Sequence, residues 1–358
     1  MSSCMKRCAE FFDSCNGARP ASGRKAEGGI VKKFMNGVES MLTESLTGFA
    51  KAHHHIVALD QEFRFVRRRQ AKAGHRVALI SGGGSGHEPL HIGFVGSGML
   101  DAACPGNVFT SPTPDQMLAA AEAVDCGGGV LFIVKNYAGD VMNFSLGAEM
   151  YAKECATLIT DDDVAVERSV HSAGRRGVAG TLVAEKVLGA AAERGDRLDT
   201  LTRLGKRVNE MTRSMGVALT SCTVPAVGRP TFELGENEME MGVGIHGEAG
   251  RRRVSLSSAN AIAEVLVQAI THDLRAEPGG EALLLVNGFG GTPSSELYLM
   301  YDAAERQVAK HGLKVTRSLV GSYVTSLDMA GCSVTVTLLD EQMTALWDAP
   351  VHTAALRW

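Results

Sequence analysis

Apolar residues along the chain follow two rhythms. Phe34, Val38, Met41, Leu42, Leu46 and Phe49 recur at helical spacing, which predicts an amphipathic entry helix over 31–52. The stretches 77–80 and 130–134 are instead unbroken apolar runs, the second preceded by Gly127, Gly128 and Gly129. Strands buried on both faces of a parallel sheet have this character. Between and after them the spacing predicts an alanine-rich helix ending near 124, a helix over 141–154, a strand at 157–160 and a helix over 177–194. Strands alternating with helices imply an α/β unit with a mainly parallel sheet flanked by helices. A helix over 198–211 leads into a second half with strands at 215–222, 238–246, 281–287, 314–320 and 333–338. Helices over 259–274 and 296–311 interrupt these strands. The second half therefore reads as a smaller, mixed α/β domain. The organisation expected is a disordered leader (1–29), a first α/β domain (30–195) and a second (196–358), with the C-terminal segment packing on either.

Composition narrows the class. A net charge of −4 without a basic stripe gives no footprint for nucleic acid. No apolar run approaches the roughly 20 residues of a membrane-spanning helix. The eight cysteines form no C-x-x-C pair, and a chain of this size needs no disulfide staples, so reduced thiols in the cytoplasm are expected. The leader carries Cys4, Cys8 and Cys15 but no apolar core of a secretory signal.

The chemistry concentrates where the first buried strand runs into Gly82-Gly83-Gly84-Ser85-Gly86-His87-Glu88-Pro89. Glycines let backbone take positive φ or approach a ligand, and ligands of open α/β sheets lie at the carboxyl ends of strands. The dinucleotide fingerprint G-x-G-x-x-G fails because His87 stands three after Gly84. A phosphate-binding P-loop fails for want of lysine between Arg76 and Lys135. His87-Glu88-Pro89-Leu90-His91 spells the zinc motif H-E-x-x-H, but Pro89 does not allow both histidines on one helix. Asp140 follows the second buried strand and reads either as a helix N-cap or as a carboxylate at the sheet edge. His246, between Gly244 and Gly247, reads as a structural histidine or as an approachable ligand or nucleophile. The runs His53-His54-His55 and Asp161-Asp162-Asp163 read as a solvated helix end and a polar loop, because adjacent side chains do not converge on one ion.

Seven blocks, among them 81–89, 109–116, 135–144, 244–248 and 287–293, together resemble the dihydroxyacetone-binding (K) subunit of dihydroxyacetone kinase, of the stand-alone, phosphotransferase-dependent type. The resemblance runs in order from about 31 to 358. It implies that His246 holds the ketone as a covalent hemiaminal and that His87 is the general base. It further implies that Gly84, Ser85 and Gly86 contact substrate and that Lys135 and Asp140 hold its hydroxyls. It implies no metal or cofactor in this chain. ADP or ATP with Mg is expected on a nucleotide-binding (L) subunit, recharged from phosphoenolpyruvate through a phosphocarrier (M) subunit. A homodimer is implied as well. Two alternatives stay open: a dihydroxyacetone-sensing coactivator that binds a transcription regulator, and a kinase subunit for erythrulose or another short ketose with an ATP-using partner.

Overall fold

The computed structural model describes residues 32–166, 174–248 and 250–358; the expected leader lies outside them. Two six-stranded sheets form the frame. In the first, β1 (Val57–Leu59) and β2 (Val66–Arg68) are an antiparallel edge, and β4 (Ala102–Val108), β3 (Ala78–Ser85), β5 (Val130–Lys135) and β6 (Cys155–Thr160) run parallel in that spatial order. The chain thus leaves β3 for β4 on one side and reaches β5 on the other. This makes the carboxyl ends of β3 and β5 the switch point where α/β sheets bind ligands. Helices α1 (Met41–Ala52), α2 (Pro114–Val124), α3 (Ala138–Met150), α4 (Gly180–Arg194) and α5 (Leu198–Glu210) accompany this sheet.

The second sheet has the order β11-β10-β12-β7-β8-β9, with β7 (Thr212–Ala218), β8 (Glu238–Met241), β9 (Arg252–Ser255), β10 (Glu281–Gly288), β11 (Lys314–Gly321) and β12 (Gly331–Leu339). Only β10 and β11 are parallel, so the sheet is mixed as expected, though it carries as many strands as the first. Helices α6 (Ala259–Leu274) and α7 (Ser294–Lys310) pack on one face of it, and α8 (Glu341–Asp348) lies near the end of the chain.

Burial follows the pleat. On β10, Leu283 and Leu285 face a core shared with α4 and the inner face of the first sheet, while Ala282, Leu284 and Val286 face α6 and α7. A third core lies under α2 and α3. Almost every position of α4 is buried, as expected of a helix enclosed between layers. The C-terminal segment packs on the first-sheet side: His352 N–H donates to Ser97 O (2.9 Å) and Ala355 N–H to Gly93 O (3.0 Å).

Several elements differ from their sequence patterns. The entry helix begins at Met41. The glycine run is not a loop but the second half of β3, flanked so closely that a Cβ at Gly83 would collide with Lys135 Nζ. The strand expected over 238–246 stops at Met241, because Gly242 turns the chain with φ +77°. Strands β1, β2, β4 and β9 and helix α8 carry no clear pattern; β4 contains Pro105 and Gly106. His54 and His55 are exposed at the end of α1. Asp162 accepts from the N–H groups of Val178 and Gly180 at the head of α4, and Asp163 pairs with Arg176, so the acidic run ties elements together.

Candidate active site

Residues expected at the site from both halves of the sequence meet beside the carboxyl ends of β3 and β5. His87 follows β3, Lys135 is the last residue of β5, and Asp140 lies in the first turn of α3. Asp140 is therefore not the N-cap, which is Tyr137; it is buried with its carboxylate 3.6 Å from Lys135 Nζ. His246 arrives from the turn after β8. Its ring stands edge-on to His87 with centroids 4.7 Å apart, and Tyr137 (4.3 Å) and Phe109 (5.3 Å) close around it. The His246 side chain keeps 21% of its exposure, so the aromatic cage leaves it approachable.

His87 is fully buried and stacks on Phe109 at 5.1 Å. Phe109 takes a positive φ (54°), an uncommon backbone state that this packing holds in place. His87 Nδ1 lies 2.7 Å from Thr325 O. A carbonyl only accepts, so Nδ1 carries the proton and Nε2 holds a free lone pair. Among the described residues, neither the buried Nε2 nor the buried Tyr137 hydroxyl has a hydrogen-bond partner. Two unpartnered polar atoms beside one ring are what a site for a small polar molecule requires.

Of the glycine-run residues, Ser85 turns its hydroxyl to Gly106 O at 2.7 Å, so its approach to a ligand is through the backbone. Gly86 has φ +99°, and a Cβ there would press on Phe109 and Leu327. His91, the second histidine of the zinc-like spelling, points Nε2 at Lys135 Nζ (2.9 Å), so an ammonium takes the lone pair a metal would need. Phe109, Tyr137, Glu248, Thr325, His91 and Glu185 complete the surroundings. Phe109, Tyr137 and Glu248 lie inside blocks that carry the resemblance, whereas Thr325 and Glu185 sit in stretches without any sequence signal.

A model of the Dak1 domain matches residues 47–355. The chain belongs to the Dak1 family. The dihydroxyacetone-binding subunit DhaK of the PEP-dependent dihydroxyacetone kinase of Escherichia coli K12 is 46% identical over 92% of this chain and 99% of its own length. Among solved structures, a dihydroxyacetone kinase operon co-activator, Dha-DhaQ, superposes with a TM-score of 0.83 at 32% identity, covering 87% of this chain and 97% of that one. The dihydroxyacetone kinase of C. freundii gives a TM-score of 0.82 at 33% identity, with 91% of this chain aligned to 60% of that one.

Electrostatics of this Dak1 site are set by burial and by its own charges. Desolvation, reinforced by His246 and Lys135 and opposed by the bond to Thr325, holds His87 well below the usual imidazole value. Desolvation, then Lys135 and His87, does the same to His91. Burial works against the Glu248 carboxylate, yet His246 and the Arg176 guanidinium override it and hold its pKa down to about 2. Glu248 also accepts the His246 N–H at 2.8 Å, which ties the carboxylate beside the ring.

The neutral buried histidines carry a pH signature. A depressed folded pKa gives stability that is present above the unfolded value, about 6.5, and lost as pH falls below it toward the folded one. The melting temperature is expected to fall between pH 7 and pH 5, and to fall less in His91→Gln. Parallel melting curves across that range would contradict a buried, neutral His91.

Proposed function

We propose that this chain is the substrate-binding subunit of a dihydroxyacetone kinase. It captures dihydroxyacetone as a hemiaminal on His246 and presents a terminal hydroxyl for phosphorylation to dihydroxyacetone phosphate. The observation that carries the reading is the buried, unpartnered Nε2 of His87, held as a proton acceptor by Thr325 O beside the approachable ring of His246.

The chemistry follows from these positions. His246 Nδ1 faces Glu248 Oε1 at 3.8 Å, so Nε2 is the nitrogen left for the carbonyl carbon. A new C–N bond forms as the C=O π pair moves to oxygen, and the ring becomes cationic beside the Glu248 carboxylate. Loss of the Nδ1 proton on the Glu248 side and protonation of the alkoxide oxygen by solvent leave a neutral hemiaminal. Glycerol has no carbonyl and is excluded from this step. Capture fixes the terminal hydroxyl, which gives up its proton to His87 Nε2 as its oxygen attacks phosphorus. Lys135 and Asp140 hold the substrate's hydroxyls, and Gly84, Ser85 and Gly86 line the substrate with backbone. ADP or ATP with Mg belongs to a partner nucleotide-binding subunit recharged from phosphoenolpyruvate through a phosphocarrier. A cytoplasmic homodimer completes the proposal; among the described residues no helix is long and apolar enough to cross a membrane.

The test is carbon NMR of dihydroxyacetone labelled at the carbonyl. A tetrahedral-carbon signal distinct from free hydrate is expected on addition of the folded chain, and excess glycerol leaves it in place. Only free ketone and hydrate signals in the presence of folded protein would sink the covalent reading. An adduct without phosphoryl transfer in the presence of nucleotide-binding and phosphocarrier subunits would instead favour a ketone-sensing co-activator; a structurally similar chain is named an operon co-activator.

A further inference from the structure

Behind Lys135, on the side away from solvent, lies a buried polar chain to which the mechanism above assigns nothing. Lys135 Nζ has two hydrogen-bond partners, Gly82 O at 3.2 Å and His91 Nε2 at 2.9 Å, and Asp140 Oδ2 stands 3.6 Å away as an ion-pair partner. An ammonium has three protons and no lone pair, so a charged Lys135 gives one to Gly82 O and a second to His91 Nε2, which must be unprotonated, and keeps the third for the Asp140 side. A neutral imidazole meets that condition only with its proton on Nδ1. Nδ1 lies 2.6 Å from Glu185 Oε1 and 2.9 Å from Ser81 Oγ. Ser81 gives its own proton to Ile133 O at 2.7 Å and is thereby left as an acceptor toward His91. Glu185 Oε1 accepts from Nδ1, and its other oxygen is buried without a hydrogen-bond partner among the described residues. Lys135, Glu185 and Ser81 are 0% exposed and His91 5%, so water does not blur the assignment.

We propose that His91 and Glu185 are positioning residues of the phosphorylation site. Glu185, with Ser81, keeps the His91 proton on Nδ1, which leaves Nε2 as a fixed acceptor that aims the Lys135 ammonium at the hydroxyl edge of the substrate beside Asp140. The proposal deepens the kinase reading and rests on it for the identity of the substrate. The pattern is that of a histidine whose outer nitrogen is set by the hydrogen bond its inner nitrogen makes. The titratable and charged groups around the chain are His87 after β3, Asp140 on α3 and Glu185 on α4, with His246 beyond His87. Burial raises the Glu185 carboxyl to about 8, opposed by the Lys135 charge.

The test begins on the ketone-free protein labelled with nitrogen-15 at histidine, the His91 signals being assigned by their loss in His91→Gln. Long-range proton–nitrogen correlation is expected to give the Nδ1–H tautomer for His91, and Glu185→Met is expected to abolish that preference. Titration with labelled dihydroxyacetone then reads the consequence. His91→Leu weakens capture about 10- to 100-fold, since a buried ammonium loses an acceptor. His91→Gln, whose amide oxygen reaches toward Lys135, restores most of that loss. An Nε2–H tautomer in the wild type overturns the proposal, as does a folded His91→Leu that binds within about twofold of wild type. Should His91→Leu not fold, the tautomer in wild type and in Glu185→Met decides the question. Because that measurement contains no ketone, its failure is distinguishable from failure of covalent capture.

Discussion

Replacing His246 with alanine is expected to abolish the tetrahedral adduct and to lower kcat/KM for phosphorylation by about 10³-fold or more. The argument is one of position. Dihydroxyacetone is small, and the described pocket offers it aromatic edges and a few polar atoms; without a covalent bond it would exchange and tumble. The bond to His246 turns an encounter into an intramolecular arrangement in which the terminal hydroxyl stays near His87 Nε2, and such pre-orientation contributes several kcal/mol. The ring sits between Tyr137 and Phe109 and retains partial exposure, so its removal leaves the three cores untouched. The measurement is the steady-state rate of the complete phosphorylating system with the variant. A folded variant within about tenfold of wild type would mean that capture is incidental to turnover.

The second large effect is a division of labour between binding and proton transfer. His87→Asn keeps an amide N–H near the place of Nδ1, able to donate to Thr325 O, and removes the nitrogen that corresponds to Nε2. The labelled-ketone signal should therefore persist while kcat falls by about 10²- to 10⁴-fold, the range that a positioned general base contributes. Loss of the adduct together with the rate would assign His87 to capture and point to Asp140, the buried carboxylate beside Lys135, as the base.

What could be read in advance follows from the range of the interactions. The buried runs at 77–80 and 130–134 reveal themselves because a strand enclosed on both faces has no polar alternation. The residues His87, Lys135, Asp140 and His246 stand out because glycines or strand ends surround them. By contrast, β4 contains Pro105 and Gly106 and has no strand propensity; it is held by parallel pairing with the glycine half of β3, where side chains would obstruct the approach. Glu185 looks like one more polar position on an alanine-rich helix, and only the layered packing of α4 discloses that it faces His91. Thr325 matters through its carbonyl, which every residue has. A strand can be read from its neighbours in sequence, but a partner 94 or 238 positions away cannot.

The bond between His87 and Thr325 also bears on how the protein comes into being. Its two ends lie 238 residues apart. During synthesis, all six strands of the first sheet have emerged by Thr160, well before the carbonyl that orients His87 exists. His246 likewise appears late, after β8. A chain ending before the second sheet therefore lacks both His246 and the carbonyl that orients His87. His87 and His246 come to face one another only once the second half of the chain has been made.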